Sequence, residues 1–495
     1  MKLQQIFSSL EELAPGFPPL EINQITQDSR NVSTGNIYIA IRGEKRDGHD
    51  YLEEAISRGA LVLVVENKSK VPNHFKGTVV EVKDTRKTLD YLASAFYYKP
   101  GRELFCVGIT GTNGKTSIAY LVEAILNHGN KMTGVIGTIN HHCGAQVWPT
   151  ELTTPDSLFL QKRLREFCDL GAKAVAIEVS SHALMQKRVE SVPFDCVVFS
   201  NLSRDHLDYH KTMKNYFLAK QRLFADLLWS TSKNPSRAIV NSDDIYGRRL
   251  RIAETAGLWT YGRKDCDFQF RNEEFDFGKT KFLAVTPVGE ILVEIKTSGL
   301  HNIYNSLAAI AVGVAAGMTL PAIAEALKNF SGVPGRMQFV ETSRNFSAVV
   351  DYAHTPDALQ NTLHSLNEIR RRKKEKGGKI WCVFGCGGDR DVGKRPLMAK
   401  IAADSADHII VTSDNPRRED PLKIIQEINN GFDALSREKV KLEPDRQKAI
   451  EMALTLADSQ DVVLIAGKGH EDYQIIGDQK IHLSDVEIIQ KFFKG

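Results

Sequence analysis

The chain has 495 residues, enough for about three domains that each bury a core. Hydrophobic residues make up 42% and charged residues 25%, an ordinary globular balance, and a formal net charge of +3 is too small to argue for a nucleic-acid partner. No run approaches the roughly 18 apolar residues of a membrane span, and the opening MKLQQIFSSLEELAPG has no apolar signal-peptide core, so neither a membrane segment nor a leader is expected.

Strand-like and helix-like segments alternate along nearly the whole length. The apolar runs are LVLVV (61–65), LFCVGIT (104–110), AVAIEVS (174–180), CVVFSNL (196–202), KIWCVFG (379–385), HIIVTS (408–413) and DVVLIAG (461–467). Such continuous runs predict strands covered on both faces, and hence parallel α/β layers. KPGRE (99–103) and SGVPGRM (331–337) are turn-rich breaks, dividing the chain into 1–98, 99–332 and 333–495. Residues 268–293 read as extra strands of the central part. The basic run RRRKKEKGGK (370–379) reads as a solvated helix end and loop. The seven cysteines (106, 143, 168, 196, 266, 382 and 386) form no CxxC pair, and several sit in apolar runs. Buried thiols of a reducing cytoplasm are expected, not disulfides or a zinc site.

GITGTNGKTS (108–117) follows a strand and opens the helical pattern SIAYLVEAILN. Glycines let backbone amides approach phosphate oxygens, and a helix N-terminus adds partial positive charge. In this reading Lys115 reaches the outer phosphates and Thr116 holds magnesium. The GxxxxGK[ST] template is met at Gly114-Lys115-Thr116, but Ile109 stands where the first glycine belongs; the glycines are Gly108, Gly111 and Gly114. The loop predicts phosphate binding without separating a kinase, a switch GTPase and a ligase.

Downstream, Glu178 ends one strand, followed by Ser180, Ser181 and His182, and the next strand runs into Asp205, His206, Asp208 and His210. Strand C-terminal ends line the ligand crevice of an open α/β sheet, so these groups are candidates for a magnesium shell. Helix N-capping by Ser181 and Asp205 with surface histidines is the competing reading. Lys220, in NYFLAKQRLF, reads from sequence alone as a helix-surface lysine.

GTNGKTS (111–117), TTP (153–155), EVSSHAL (178–184), NLSRDHLDYH (201–210), HNIYNSLAA (301–309), GRM (335–337), DYAHTPD (351–357), FGCGGDRDVGKRP (384–396), DNPR (414–417) and AGKGHEDYQ (466–474) occur in this order, after DSR (28–30). In this the chain resembles the Mur ligase family of peptidoglycan assembly over essentially its whole length. GTNGKT is shared with folylpolyglutamate synthetases. DNPR and GCGGDRD point to the branch that makes the UDP-N-acetylmuramoyl tripeptide.

The resemblance implies an α/β protein of three domains. Residues 1–98 would hold the UDP-MurNAc substrate, 99–332 ATP on a central P-loop parallel sheet, and 333–495, a dinucleotide-binding-like (Rossmann-like) fold, the incoming amino acid. It implies a cytoplasmic monomer that uses ATP and Mg2+ to make an acyl phosphate on the peptide carboxylate, which the amine of the new amino acid then attacks. The catalytic set would be Lys115, Glu178, His206 and Lys220, with magnesium on Thr116, Glu178, His206 and Lys220 as its carbamate. ATP would meet Gly111, Thr112, Asn113, Gly114, Lys115, Thr116 and Ser117. Asn302 and Asn305 would lie near adenine, Asp351 near ribose, Arg336 near the transferring phosphate, and His354 against adenine or phosphate. UDP-MurNAc-L-Ala-D-Glu would meet Gln27, Ser29, Glu44, Lys45, Arg46, Thr153, Thr154, Ser180, Gln186 and Arg188, those at 44–46 through side chain or backbone.

Three C-terminal loops each follow an apolar strand. They carry Arg390, then Asp414, Asn415, Pro416 and Arg417, then Gly467 and Glu471. Meso-diaminopimelate has a distal carboxylate and ammonium beyond its reacting amine. Arg417 and Arg390 can fork onto carboxylates, while Glu471 and Asp414 can take the ammonium. Arg418, Glu419 and Asp420 read as a solvated exit and helix start. Lysine lacks the distal carboxylate, and lysine-adding relatives typically depart from DNPR at the arginine. The expected substrate is therefore diaminopimelate. A lysine-adding or folylpolyglutamate synthetase-like ligase is the nearest alternative, and a nucleotide switch without ligase chemistry is the alternative of another class.

Overall fold

The structure is a computed structural model that describes residues 1–8, 17–43, 46–276, 278–340, 342–343, 346–372 and 378–494. Its contacts divide the chain into two compact units, residues 1–269 with 307–323, and residues 270–306 with 324–495.

The first unit opens with a four-stranded parallel sheet in chain order, Gln24–Thr26, Asn36–Ile39, Ala60–Val65 and Thr78–Glu81. Helix Thr85–Phe96 follows, its N-terminus capped by the Asp84 carboxylate, which accepts from the Lys87 amide. A second sheet runs Gly257–Gly262, Arg237–Asn241, Cys196–Phe199, Phe105–Thr110, Ala174–Glu178 and Thr133–Ile136 as parallel neighbours. His141–Cys143 and Gln146–Trp148 extend it as an antiparallel meander. Every residue of Ala174–Glu178 and Cys196–Phe199 is buried, as the apolar runs predict for strands covered on both faces. Register places the site: Ile109 pairs with Glu178 and Thr110 with Phe199, so three strands end side by side.

In the second unit a six-stranded sheet runs Gln338–Val340, Ser347–Asp351, Val462–Ala466, Ile380–Phe384, His408–Val411 and Val440–Leu442. All neighbours are parallel except the antiparallel first strand. Along Ile380–Phe384, Cys382 and Phe384 enter one core with Leu363 and Met398, while Trp381 and Val383 enter the other with Ile450 and Ile489. Two-residue alternation thus feeds two apolar layers, the doubly wound arrangement expected of this region. The stretch expected to hold extra strands carries three, Phe268–Asp276, Lys279–Thr286 and Gly289–Ile295, the last two an antiparallel hairpin.

The basic run begins in the last turn of helix Pro356–Arg372, where Arg371 is exposed and Arg370, partly buried, pairs with Asp407 and donates to the Asn367 side chain at 2.6 Å. Residues 373–377 of that basic run lie outside the described residues. All seven cysteines are free thiols, five of them buried. Among the described residues no helix is long and apolar enough to cross a membrane.

Candidate active site

The phosphate loop lies between strand Phe105–Thr110 and helix Lys115–His128. Its path needs glycine at Gly111, where φ is 149° and a Cβ would stand 1.9 Å from the Ser200 hydroxyl. Main-chain bonds fix the loop, with the Thr112 amide donating to the Asn201 carbonyl at 2.9 Å. The Asn201 side chain accepts from the Asn113 amide at 2.9 Å and donates to its carbonyl at 3.1 Å. Lys115 curls back so that its ammonium donates to the Gly111 and Thr112 carbonyls, at 3.0 and 2.9 Å. Ser117 sits in the first turn of the helix.

Glu178 is buried at the crest of its strand. Its carboxylate accepts from the Thr116 hydroxyl (3.0 Å), the Thr138 amide (2.9 Å) and the Thr138 hydroxyl (3.0 Å). A hydroxyl and a carboxylate side by side are hard oxygen donors that fit magnesium. Among the described residues no three His, Cys, Asp or Glu side chains gather as a ready-made metal cluster. The remaining donors would have to come from His206 and Lys220. An amine suits a hard cation only if it first gains oxygen atoms.

Lys220 is not a surface residue. It is 1% exposed on helix Met213–Arg222 and donates to the Gly111 carbonyl at 2.8 Å, with the Thr110 hydroxyl at 3.5 Å. Burial, and then the nearby Lys115 ammonium, push its proton affinity well below the usual lysine range. His206 is half-exposed, with φ at 53°, and its ring lies 4.9 Å from His182 and 6.0 Å from Tyr216. The capping reading of Ser181 and Asp205 fails in detail. Ser180 caps helix Ser181–Met185, while the Ser181 hydroxyl meets His210 Nε2 at 2.8 Å. The Asp205 carboxylate accepts from the adjacent His206 amide at 2.8 Å and lies 3.4 Å from His206 Nε2, while His206 itself stands at the N-cap of helix Leu207–His210.

Thr153, Thr154, Ser180, Gln186 and Arg188 gather around the same strand end. The Thr154 hydroxyl donates to the Glu178 carbonyl at 2.7 Å and accepts from the Ser180 amide at 3.0 Å. The Thr153 and Thr138 hydroxyls lie 3.1 Å apart. Arg188 donates to the Thr154 carbonyl at 2.6 Å and to the Gln186 side chain at 3.2 Å. Gln27 and Ser29 belong to the N-terminal sheet region, where the Ser29 hydroxyl donates to Glu54 at 2.6 Å; Arg46 is exposed. Glu44 and Lys45 lie outside the described residues.

Asn302, Asn305, Arg336, Asp351 and His354 belong to the second unit. Asn302 donates to the Ser298 carbonyl at 2.8 Å and lies 3.5 Å from the Asn305 amide nitrogen. Both Asp351 carboxylate oxygens are engaged, by the Met337 amide at 2.7 Å and the Thr362 hydroxyl at 3.1 Å. The Arg336 guanidinium stacks over Tyr352 at 4.7 Å, and His354 Nδ1 lies 2.9 Å from the Tyr352 carbonyl.

The three C-terminal loops leave neighbouring strand ends and meet. Asn415 donates to Glu471 at 2.9 Å, and buried Lys468 donates to both residues, at 3.3 Å to Asn415 and 3.1 Å to Glu471. Glu471 therefore already faces a cation. Buried Asp414 turns one carboxylate oxygen to the Asn415 amide at 2.6 Å, and a Cβ on Gly467 would meet the other at 2.6 Å. Arg417 is half-buried and donates to the Gly388 carbonyl at 2.9 Å; Pro416 is buried and Arg390 exposed. Sequence reasoning missed the supports. Arg446, fully buried against Asp485 at 2.7 Å, donates to the Ser413 and Ala466 carbonyls at 3.3 and 3.1 Å, tying two loops from below. Asn201 and Lys468 lie inside the NLSRDHLDYH and AGKGHEDYQ stretches but had no role assigned from sequence, while Thr138 and Arg446 carry no motif signal.

Three Mur ligase family descriptions match the chain: the family catalytic domain over residues 21–97, the middle domain over 109–313 and the glutamate ligase domain over 335–469. The UDP-N-acetylmuramoyl-L-alanyl-D-glutamate--2,6-diaminopimelate ligase of Geobacillus thermodenitrificans is 42% identical over 492 residues, covering 98% of each chain. The enzyme of that name from Listeria innocua is 41% identical over 98% of this chain and 97% of its own. A solved structure of that name aligns at 32% identity with a TM-score of 0.74, over 100% of this chain and 99% of the other. The ADP complex of MurF ligase from Thermotoga maritima shares the fold at 19% identity, with a TM-score of 0.61, over 95% and 97%.

Proposed function

The chain belongs to the Mur ligase family, and from that premise we propose that it joins meso-diaminopimelate to UDP-MurNAc-L-Ala-D-Glu at the expense of ATP. The names of its relatives support this reading, in which residues 1–98 would hold UDP-MurNAc, 99–332 ATP and 333–495 the amino acid. The observation that supports the substrate is the meeting of Arg417, Asp414, Asn415 and Glu471 where parallel strands end, because the distal end of a diamino diacid carries a carboxylate as well as an ammonium, whereas that of lysine carries the ammonium alone.

A carboxylate is a poor electrophile until it carries a leaving group. The γ-phosphoryl group of ATP passes to the glutamate carboxylate oxygen as the bond to the β-phosphate oxygen breaks, leaving ADP. The free amine then attacks the acyl carbon, and phosphate departs with the C–O electron pair as the nitrogen loses its proton. The phosphate loop and Lys115 hold the transferring group in line and offset its charge. Magnesium, held by Thr116, Glu178, His206 and the carbamate of Lys220, would neutralise further phosphate charge. The burial of Lys220 near the Lys115 ammonium supports the carbamate, since an amine must be unprotonated to take up carbon dioxide. Thr153, Thr154, Ser180, Gln186 and Arg188, with Gln27 and Ser29, would hold the UDP-MurNAc dipeptide. The enzyme would work in the cytoplasm as a monomer.

Phosphate release from ATP with UDP-MurNAc-L-Ala-D-Glu tests the reading, comparing meso-diaminopimelate, lysine and no amino acid. Turnover with diaminopimelate alone is expected. Equal turnover with lysine would defeat the substrate, and none with either would defeat the ligase. In Arg417→Ala, diaminopimelate binding should weaken by about 2 kcal/mol, as loss of a charge-assisted contact does, with the KM for ATP unchanged.

A further inference from the structure

Glu419, two residues beyond Arg417, is not the solvated exit that the sequence suggests. Its carboxylate accepts from the Asp389 amide and pairs with the Arg395 guanidinium at 2.9 Å. Arg395 is fully buried. It pairs with Glu427 through its other terminal nitrogen and reaches the Gly387 carbonyl at 3.4 Å. Glu419 thus fastens the loop that carries Arg417 to the loop that carries Arg390.

The rest of the seam follows the same line. The Gly388 amide donates to the Asn415 carbonyl at 2.9 Å, Arg417 returns a bond to the Gly388 carbonyl at 2.9 Å, and the Arg418 amide lies 3.4 Å from the Asp389 carboxylate. The loops come this close because Gly388 has no side chain: a Cβ there would stand 2.0 Å from the Pro416 carbonyl oxygen.

Two residues at this seam are strained. Asp389 has φ at 53° and Arg417 at 51°, the left-handed region that L-residues with a Cβ avoid. Such a conformation persists where its surroundings over-determine it. Around Asp389 the surroundings are the DNPR loop, through Glu419, while the Arg417 backbone is held by the Ile475 carbonyl at 3.0 Å and the Gly477 amide at 2.6 Å. One strained residue is Arg417 itself, and the other immediately precedes Arg390. The seam therefore sets the backbone before Arg390 and, through the bond from Arg417 to the Gly388 carbonyl, its distance from the second guanidinium, and the Glu419–Arg395 pair is the seam's charged clasp.

Resting on the reading of these loops as the diamino-acid site, we propose that Glu419, acting with Arg395, is a positioning residue that fixes the spacing of Arg390 and Arg417 for the distal carboxylate. Glu419 need not touch the substrate. Its part is to make two arginines on separate loops act as one fork, and so to separate a diamino diacid from a diamino monoacid.

The test uses the full-length enzyme and Glu419→Ala. Glu427 still balances Arg395, and Glu419 is only half-buried, so the variant should fold. The expected result is a rise of about tenfold or more in the KM for meso-diaminopimelate, with the KM for ATP within about twofold and a reduced preference over lysine. Glu419→Gln, which keeps an acceptor for the Asp389 amide, should recover part of the loss. An unchanged diaminopimelate KM in Glu419→Ala, beside a raised one in Arg417→Ala, overturns this inference alone. Unchanged values in both overturn the site reading beneath it. If Glu419→Ala lowers the melting temperature and raises all three KM values together, the residue is merely structural and the inference fails.

Discussion

The phosphate loop and the DNPR loop both leave the C-terminal end of a parallel strand, but they are held by different forces. The first is shaped by main-chain bonds and neutral side chains, Asn201 and Ser200 foremost, and the buried Lys220 amine rests on oxygen atoms of the loop. The second is clamped by opposite charges: Arg395 with Glu419, Arg446 with Asp485, Lys468 with Glu471. A cradle of amides suits any polyphosphate and asks little of side-chain identity. A site that must tell one amino acid from another needs charges at set distances, and ion pairs inside a low-dielectric interior hold such distances well. Damage to the first region should therefore appear in catalysis, and damage to the second in stability and selectivity together.

The sharpest way to break this comparison is at the fully buried pair. Asp485→Ala leaves the Arg446 guanidinium in the interior without its acid, a change that costs about 3–5 kcal/mol. A denaturant titration should show that loss. Replacing both partners by apolar residues, as in Arg446→Met/Asp485→Leu, should recover much of it, because no lone charge is left behind. If that double variant also kept the wild-type KM for diaminopimelate, charge would not be what holds the second region. In the phosphate region the corresponding change is Lys220→Ala. It should lower kcat by about a hundredfold to a thousandfold, the scale of losing one preorganised electrostatic group. Stability should hold or rise, since a buried polar amine that resists carrying its charge is removed. A melting temperature that falls with activity would show the lysine to be a scaffold.

The contrast also explains what could be read in advance. GKT after an apolar run was legible because a phosphate loop is local: strand, turn and helix lie within a few residues. The alternating apolar runs foretold both sheets for the same reason. Lys220 was not legible, because nothing in NYFLAKQRLF tells which face of the helix meets the loop; that depends on packing against Gly111, 109 residues away. Glu419 was misread because its partner Arg395 lies 24 residues back, and an ion pair between loops leaves no periodic trace. The competing reading of Ser181 as a helix cap misses by one residue, since Ser180 provides the cap, a difference that cap geometry alone resolves.

A buried carboxylate in the first unit sharpens the rule from the other side. Asp90 lies on helix Thr85–Phe96 and accepts from the Ser191 amide, while the Ser191 hydroxyl donates to the Asp90 carbonyl at 3.2 Å. Burial pushes its carboxyl up to about 7, with nearby Glu190 adding to the rise. The folded state therefore holds a proton that the unfolded chain releases near pH 4. Stability should fall as pH rises from about 4 to 7 and stay low above, by at most roughly 4 kcal/mol from this group. Asp90→Asn should flatten that slope and raise stability at pH 8 by about 2 kcal/mol, since the Ser191 amide keeps an acceptor. Melting curves at pH 5 and pH 8 check the sign; an equal effect at both would mean the carboxyl ionises normally.

The smallest expected effect divides the DNPR stretch itself. Asp420 stands next to Glu419, yet its carboxylate accepts only a local bond, from the Leu422 amide at 2.9 Å, as the N-cap of helix Pro421–Asn429. Pro421 fills the first helical position, so the cap satisfies one of the few amides left free there. Asp420→Ala should cost about 1 kcal/mol of stability and leave the KM for meso-diaminopimelate and the preference over lysine where they were. Adjacent acids would then differ in kind: Glu419 acts between loops and moves selectivity, while Asp420 acts within four residues and moves only the melting temperature. If Asp420→Ala loosened selectivity as Glu419→Ala is expected to, the helix start, not the clasp between the loops, would be what sets the arginines.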